Sequence, residues 1–493
     1  MTASERSNQK NIIMSSSRKS FIKSMALGAG TAMGVPLAFS GKNTAATGKS
    51  NSVETGFKPV LNVKEFGAGG MGETDDSDAL QAALDAAREQ NLEIVYVPEG
   101  IYQISEILII YENTTLHLDR NAVIIRKADI NAMLINGTEN VPGYDGQSNI
   151  TVEGGTWDGN SREFPSNVTP LGFGHARNIT VQNLTVLDVY NWHHLEINAI
   201  DGATIRDCFF EGMILTRAFT EMIQIDLMGT EGMFPWFGEF DNTTCRNVLI
   251  DRCTFKNGNT AGIGTHSTRK DALHEYITIS NCEFINLERE GIVGQNWQHV
   301  QIENNFFKNC NQGILMEAKT ETDCEDISII NNRMTKTNYP EPGEGIRILS
   351  EENGSQIRHI QVRGNYLSGV ENHGIRIDFC DHSVVQGNTV KECDLSGILI
   401  YYSDNVSIIE NSAFGNGKRD SSEKDIRINS PERLTTTGPH IISVNNTESC
   451  RVDAADSCLI TKNVFKSELA TESEPGTVQA FNNFVGGTFS GKE

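Results

Sequence analysis

Eight short segments of one pattern carry the side chains able to do chemistry. They run His194-Leu-Glu-Ile-Asn198, Met222-Ile-Gln-Ile-Asp226, Gly262-Ile-Gly-Thr-His266 and Gly291-Ile-Val-Gly-Gln295. Gly313-Ile-Leu-Met-Glu317, Gly345-Ile-Arg-Ile-Leu349, Gly374-Ile-Arg-Ile-Asp378 and Gly397-Ile-Leu-Ile-Tyr401 follow. The second position is always Leu or Ile and the fourth mostly Ile, so in a strand these two face one side and the first, third and fifth face the other. Stacked about 4.8 Å apart, the fifth positions make an outward column of Asn198, Asp226, His266, Gln295 and Glu317. The third positions make a neighbouring column of Glu196, Gln224, Gly264, Val293, Leu315, Arg347 and Arg376. Glu196, Gln224, Asp226 and His266 then share one patch, with Glu221 beside it. Carboxylates next to an imidazole suit proton transfer, since a neutral imidazole titrates near working pH.

Aromatic residues gather at the same place. Leu227 to Thr243 is an insertion directly after Asp226 that contains Phe234, Trp236 and Asp241, and Tyr190-Asn-Trp192-His193-His194 leads into the first segment. Exposed rings beside polar groups suit stacking on sugar rings. In repeat architectures insertions map to one face, often the binding face. The expected binding residues are therefore Trp192, His194, Asn198, Trp236 and Asp241, with Arg347 and Arg376 further along the groove.

The element that positions these columns is a repeat. Asn247-Val-Leu-Ile-Asp-Arg-Cys-Thr-Phe returns as Tyr276-Ile-Thr-Ile-Ser-Asn-Cys-Glu-Phe and His299-Val-Gln-Ile-Glu-Asn-Asn-Phe-Phe, with later copies from Asp326, His359, Ser383 and Asn405. Its anchors fall at Cys208, Cys253, Cys282, Asn305, Asn332, Asn365, Asn388 and Asn411; the shortest spacing is 23 residues (305 − 282). A short period with variable extras, built of alternating β-rich runs between Gly and Asn turns, predicts coils of a right-handed parallel β-helix. The recurring cysteines read as an inward stack of small side chains. From about residue 412 the phrase degenerates, which predicts irregular last coils, a polar loop over Ser467 to Gly476 and a cap of the same domain.

Composition narrows the partners. The 493 residues carry 41 Lys+Arg against 64 Asp+Glu, a formal charge of −23, so nucleic acid and anionic membrane surfaces are not expected partners. No apolar run of about 18 residues spans a bilayer. Ser17-Arg-Lys-Ser-Phe-Ile-Lys23 followed by an Ala/Gly-rich apolar stretch resembles a twin-arginine export signal, with Lys19 in place of the second Arg. Residues 1–40 are read as an export signal, 41–60 as a linker and 61–493 as a single β-helix, giving a periplasmic or extracellular protein.

Phe66-Gly-Ala-Gly-Gly-Met-Gly-Glu-Thr-Asp-Asp-Ser-Asp-Ala-Leu-Gln81, then a short amphipathic helix and Pro98-Glu-Gly-Ile-Tyr102, resembles the opening module of the pectate-lyase-like superfamily, which includes polygalacturonases and epimerase-like proteins. Gly154-Gly-Thr-Trp-Asp-Gly-Asn160 is similar to a coil of that superfamily. The resemblance implies the fold and a polysaccharide substrate. The catalytic signatures of polygalacturonases (Asn-Thr-Asp, an adjacent Asp pair, Gly-His-Gly) are absent from the middle coils.

Three readings follow. A lyase would cleave a uronic-acid-containing glycan by β-elimination. In it His266 is the base and Asp226 its orienter; Gln224, Asn198 or a divalent cation such as calcium held by Glu196 and Asp226 stabilises the intermediate, and Arg347 and Arg376 hold carboxylates or sulfates. A C5-epimerase shares much of that chemistry. A glycoside hydrolase would use Glu196 and Asp226, whose diagonal placement implies roughly 7–8 Å between Cβ atoms, within the roughly 6.5–9.5 Å between carboxylates of inverting enzymes; Glu221 is a further acid. A non-catalytic glycan binder should spread its aromatics along the groove, whereas here they cluster at two coils.

Overall fold

The repeated phrase is a device for satisfying buried polar groups. From Cys208 onward a small side chain at one corner of the coil points inward and bonds to a neighbouring coil. Cys208, Cys253 and Cys282 begin this column, and Asn305, Asn332, Asn365, Asn388, Asn411, Asn445, Asn463 and Asn483 continue it, all buried. Asn305 Oδ1 accepts from Cys282 N at 2.8 Å, Asn332 Oδ1 from Asn305 N at 3.0 Å and Asn388 Oδ1 from Asn365 N at 2.9 Å. The same amides donate to a backbone carbonyl, as Asn388 Nδ2 does to Val362 O at 2.8 Å. A buried amide without partners costs several kcal/mol, roughly 2–7; with donor and acceptor both used it locks coil to coil instead. All ten cysteines are buried and unbridged.

Two residues after each of the first anchors comes an inward Phe. Phe210, Phe255, Phe284 and Phe307 stack with centroids 5.2, 4.9 and 4.7 Å apart and planes within 11°. The Leu and Ile of the site-bearing segments line the same interior: Leu195, Ile223, Ile263 and Ile292 pair in register and are fully buried.

The computed structural model describes residues 60–493 apart from 91–92, 138–139, 215–219, 233, 237, 336–342, 352–353, 421, 430–439, 454–457, 473–477, 486–487 and 491–493. The expected export signal and almost all of the linker lie outside the described residues. Every strand from Val60–Asn62 to Val478–Phe481 pairs in parallel with a strand of a neighbouring coil, and those of the middle coils pair on both sides, which makes a β-solenoid. The helix Ser77–Gln90 buries Leu80, Ala83, Leu84 and Ala87 against the first coil. Asp75 Oδ1 accepts from Ser77 N and Oγ at its start and so caps it. No helix among the described residues is long and apolar enough to cross a membrane.

The expected irregularity beyond residue 412 is present: the anchors from Asn411 to Asn445, Asn463 and Asn483 are 34, 18 and 20 residues apart, and the Asn446–Asp453 strand slips register between Thr447 and Ser449, although the Asn column runs on to Asn483. The expected loop needs correcting. Ser467 to Gly476 is not simply a loop: Val464–Glu472 is a strand paired with Asn446–Asp453. Its polar outward residues hid a strand whose inward positions are filled by Phe465 and Leu469. The antiparallel pair Asn483–Val485 with Thr488–Ser490 ends the solenoid.

Candidate functional site

Register places the expected patch together. Gly172, Glu196, Gln224, Gly264 and Val293 pair successively across five coils, as do Gly174, Asn198 and Asp226. Contrary to expectation these outward side chains are not open to solvent: Glu196, Gln224, Asn198, Asp226 and Glu221 are at most 2% exposed. The insertion after Asp226 packs alongside them, with its Trp236 ring against Gly172, the register neighbour of Glu196. Phe234 of the insertion, expected to be exposed, is fully buried with Ala199 and Met228 in a small separate core. Trp236 packs edge-on against Phe234 at 4.8 Å and against Trp192 at 6.1 Å, and both tryptophans stay partly exposed. Two glycines make the space: a Cβ on Gly172 would meet the Trp236 ring at 2.9 Å, and one on Gly264 would meet Glu221 Cγ at 2.9 Å.

Under this roof the polar atoms form one network. Glu196 accepts from Asn198 Nδ2 at 3.1 Å and from Thr169 Oγ1 at 3.3 Å. Asp226 accepts from Gln224 Nε2 and from Leu227 N, each at 2.8 Å. His266 Nδ1 lies 3.0 Å from Glu221 Oε2, and its Nε2 lies 3.8 Å from Asp226 Oδ2. The Gln224 amide nitrogen is 3.3–3.4 Å from both His266 ring nitrogens. Glu221 Oε1, Gln224 Oε1 and Asn198 Oδ1 are buried acceptors with no donor among the described residues.

Burial without a dedicated cation separates the ionisations. Burial, helped by the Asp226 charge, pushes Glu196 up to about 8. Burial also pushes Asp226 up to about 6, against the pull of His266. Burial disfavours the His266 cation, but Glu221, Asp226 and Glu196 outweigh it and push His266 up to about 9. Burial opposes ionisation of Glu221 as well, yet the His266 cation, helped by Arg289, holds it below the usual range. Near neutral pH the site therefore holds a protonated Glu196, an ionised Asp226 and a His266–Glu221 ion pair. His266, read from sequence as the base, is the cation of that pair, because three carboxylates surround it.

One residue of the Trp192–His194 run, His194, does not take its expected part. The strand begins at Leu195, so alternation does not extend back to His194. His194 is fully buried, edge-on to Phe210 at 6.1 Å in the interior, with its Nε2 3.3 Å from Glu211 O, so it is no substrate contact. His193, unassigned in the sequence reading, stacks on His266 at 5.9 Å and 18°. Its Nδ1 donates to Glu221 O at 2.8 Å, which leaves Nε2 as the acceptor in the neutral ring. Burial, with His266 beside it, pushes His193 down to about 4 despite Glu221, so it is neutral. Only its place next to the aromatic run hinted at this.

Three other expected residues lie elsewhere. Asp241 fastens the insertion, accepting from Gly143 N at 2.8 Å and Thr243 N at 2.9 Å. Arg347 and Arg376 are register neighbours three coils and more beyond Gly264 and share Asp378, at 3.0 and 2.8 Å. Arg376 also reaches Glu344 at 3.3 Å and lies over the Tyr401 ring. A cation between Glu196 and Asp226, as expected from sequence, would share carboxylates that already accept from Asn198 and Thr169 on one side and from Gln224 and Leu227 N on the other. Among the described residues the His and carboxylate ligand atoms gathered within 4.8 Å are those of His299, Glu325 and Asp326, on a different face of later coils.

Comparison with known proteins places this geometry in context. The family model described as rhamnogalacturonase A/epimerase, pectate lyase-like, matches residues 60–336, and that described as right handed beta helix region matches 242–465. The chain is similar to the plasmin and fibronectin-binding protein A of Streptococcus pneumoniae (strain ATCC BAA-255 / R6), 27% identical over 401 residues, 72% of this chain and 54% of that protein. It thus spans about half the length of that relative. The solved structure of PfbA, a surface adhesin of Streptococcus pneumoniae, shares the fold at a TM-score of 0.62 and 22% identity, over 73% of this chain and 91% of the other. A Yersinia enterocolitica family 28 exopolygalacturonase does so at 0.50 and 12% identity, over 80% and 78%.

Proposed function

Since the chain belongs to the rhamnogalacturonase A/epimerase, pectate lyase-like family, we propose that it is an exported enzyme that hydrolyses a uronic-acid-containing polysaccharide at the Glu196–Asp226 pair. The observation that carries this reading is the diagonal pair of buried carboxylates on neighbouring strands, one held protonated and one ionised, beneath an aromatic roof. Environments that push two titratable groups apart assign the acid and the base. Glu196 gives its proton to the glycosidic oxygen as the carbon–oxygen bond breaks. A water attacks the anomeric carbon and gives its proton to Asp226. The His266 cation, balanced by Glu221, lies beside Asp226 and favours its ionised form, an interaction that exclusion of water strengthens. Asn198, Gln224 and Glu221 bring acceptors without donors, which sugar hydroxyls supply. Trp192 and Trp236 offer ring faces, and the His266 side chain, 21% exposed, marks the edge by which the cluster meets solvent.

A second reading, β-elimination as in a lyase or epimerase, is favoured by His193 and His266 together. The His266 cation is suited to neutralise a uronate carboxylate, and the neutral His193 Nε2 to take the neighbouring proton. A purely adhesive role, suggested by the name of the pneumococcal relative, gives no reason to bury three carboxylates and two histidines at a cost in solvation. The test is to incubate the protein with a panel of acidic polysaccharides and follow reducing ends and the ultraviolet absorbance of unsaturated products. Reducing ends without absorbance, lost in Glu196→Gln and Asp226→Asn, are the expected result. Absorbance lost in His193→Ala would move the assignment to elimination, and silence in both channels would sink the enzymatic reading.

A further inference from the structure

The roof is also a wall. It leaves the site strand at Asp226 and closes its own neck, with Met228 N donating to Thr243 O and Asn242 N to Met228 O, each at 2.9 Å. It then runs toward the N-terminal coils. Trp236 lies on Gly172, the groove-floor position one coil before Glu196, and its Nε1 donates to Asn131 Oδ1 at 3.0 Å, one coil earlier still. Past Trp236 the insertion is fastened to the loop that follows the Ala132–Ile135 strand. Asn140 Nδ2 donates to Glu239 Oε1 at 3.1 Å, Gly143 N to Asp241 Oδ2 at 2.8 Å and Tyr144 Oη to Thr244 O at 3.0 Å. The His175 ring reaches Glu239 O at 2.7 Å from below. An indole and two mutually bonded loops thus occupy the groove on the N-terminal side of Glu196.

The opposite direction has another character. After Gly264 the floor positions are Val293, Leu315, Arg347 and Arg376, one per coil, so Arg376 stands five coils beyond Gln224, about 24 Å at the strand spacing. Arg347 spends Nε on Asp378, which leaves its two terminal nitrogens as donors; Arg376 spends Nε and Nη1. Beside them Phe379, Tyr401 and Tyr402 form a partly exposed ring cluster, with Phe379 and Tyr402 stacked at 5.6 Å. Guanidinium groups next to aromatic faces suit a chain of acidic sugars.

We infer that the site takes the end of an acidic glycan, with the terminal sugar against the Trp192–Trp236 wall and the rest of the chain running over the C-terminal coils toward Arg347 and Arg376. This rests on the reading of the Glu196–Asp226 cluster as a glycan site, and adds that chain interiors do not fit. A polymer threaded through the groove would have to pass where Trp236 sits, and the indole is held from both sides.

The binding test uses the full chain with Glu196→Gln, so that nothing is turned over, and reads tryptophan fluorescence. Polygalacturonate, alginate and short oligomers of each are compared at equal mass. Recognition of ends predicts half-saturation that follows the molar concentration of chain ends, so short oligomers saturate at far lower mass than polymer. Arg376→Ala should weaken longer oligomers several-fold and leave the shortest unchanged. Half-saturation that follows mass, or no binding of any of these glycans, overturns the inference. The wild-type product pattern separates it from the functional reading. Small products from the outset are expected; a ladder of intermediate lengths would overturn end recognition and leave hydrolysis standing. End-dependent binding with no products at all would overturn hydrolysis and leave end recognition standing.

Discussion

Asp226 and Asp378 occupy the same position of the repeated strand, and both are 0% exposed, yet their surroundings differ in kind. Asp378 receives two guanidinium groups, Arg347 and Arg376, the second of which Glu344 also engages. Asp226 receives an amide, a backbone N–H and a share of an imidazolium whose main partner is Glu221. A buried carboxylate matched by dedicated cations is a structural clamp. One left with neutral donors and a borrowed cation keeps its proton equilibrium close to working pH, which is what acid–base chemistry requires. The coil is the same; the partners brought by neighbouring coils and by one insertion make the difference.

The sharpest way to break this contrast is to neutralise each carboxylate. Asp226→Asn and Glu196→Gln should each lower kcat/KM by about 10²–10⁴-fold, measured as reducing ends released, while leaving the unfolding midpoint at pH 8 unchanged or raised, because a charge held in a buried site is removed. Asp378→Asn should do the reverse: turnover of the shortest substrates survives, but two guanidinium groups lose their shared partner at a cost of about 3–5 kcal/mol, read by denaturant unfolding. Equal behaviour of the two variants would erase the distinction. Of similar size is Phe284→Ala, which empties one place in the interior stack and should cost about 3–5 kcal/mol with the active-site ionisations unmoved.

The pH dependence sharpens the comparison further. With Asp226 pushed up to about 6 and Glu196 up to about 8, activity needs the first ionised and the second protonated, so kcat/KM should form a bell between those limbs. Stability should move as well. Glu196 is raised from 4.5 and His266 from 6.5, so the folded state binds protons more tightly than the unfolded chain at both. Their contribution is complete below the unfolded values and is lost as pH rises through about 8 and about 9. The melting midpoint should therefore fall from pH 6 to pH 9, and Glu196→Gln should flatten part of that slope. A steady or rising midpoint would mean that the cluster is not ionised as described. The smallest effect belongs to the rim: Lys270→Ala breaks an exposed pair with Glu321 at 2.7 Å and should shift stability by under about 0.5 kcal/mol.

The architecture was legible because its rules are local. Strand alternation put Leu195, Ile223 and Ile263 inside and set Glu196, Gln224 and Asp226 in adjacent columns, and the anchors at Cys282, Asn305 and Asn332 marked where each coil closes. What alternation does not govern was misread. His193 and His194 precede the strand, so a chain bend decided which of them faces Glu221 and which faces Phe210. Ser467 to Gly476 looked like a loop, though the Val464–Glu472 strand runs into it, because the polar half of that strand is conspicuous and its inward Phe465 and Leu469 are sparse.

The order of residues alone thus determined the solenoid, its column registers and the gathering of carboxylates, histidine and aromatics on one face, since each follows from periodicity and stacking. The tertiary structure decided what those groups are. Where the Leu227–Thr243 insertion lies is set by Trp236 meeting Gly172 and Asn131, and by Asp241 meeting Gly143, contacts about a hundred residues apart in the last case and visible in no local pattern. Packing of neighbouring coils together with that insertion removes water from Glu196 and Asp226 and pushes their ionisation upward. It also surrounds His266 with carboxylates and closes one end of the groove, because charge state and access depend on everything within reach and not on sequence neighbours.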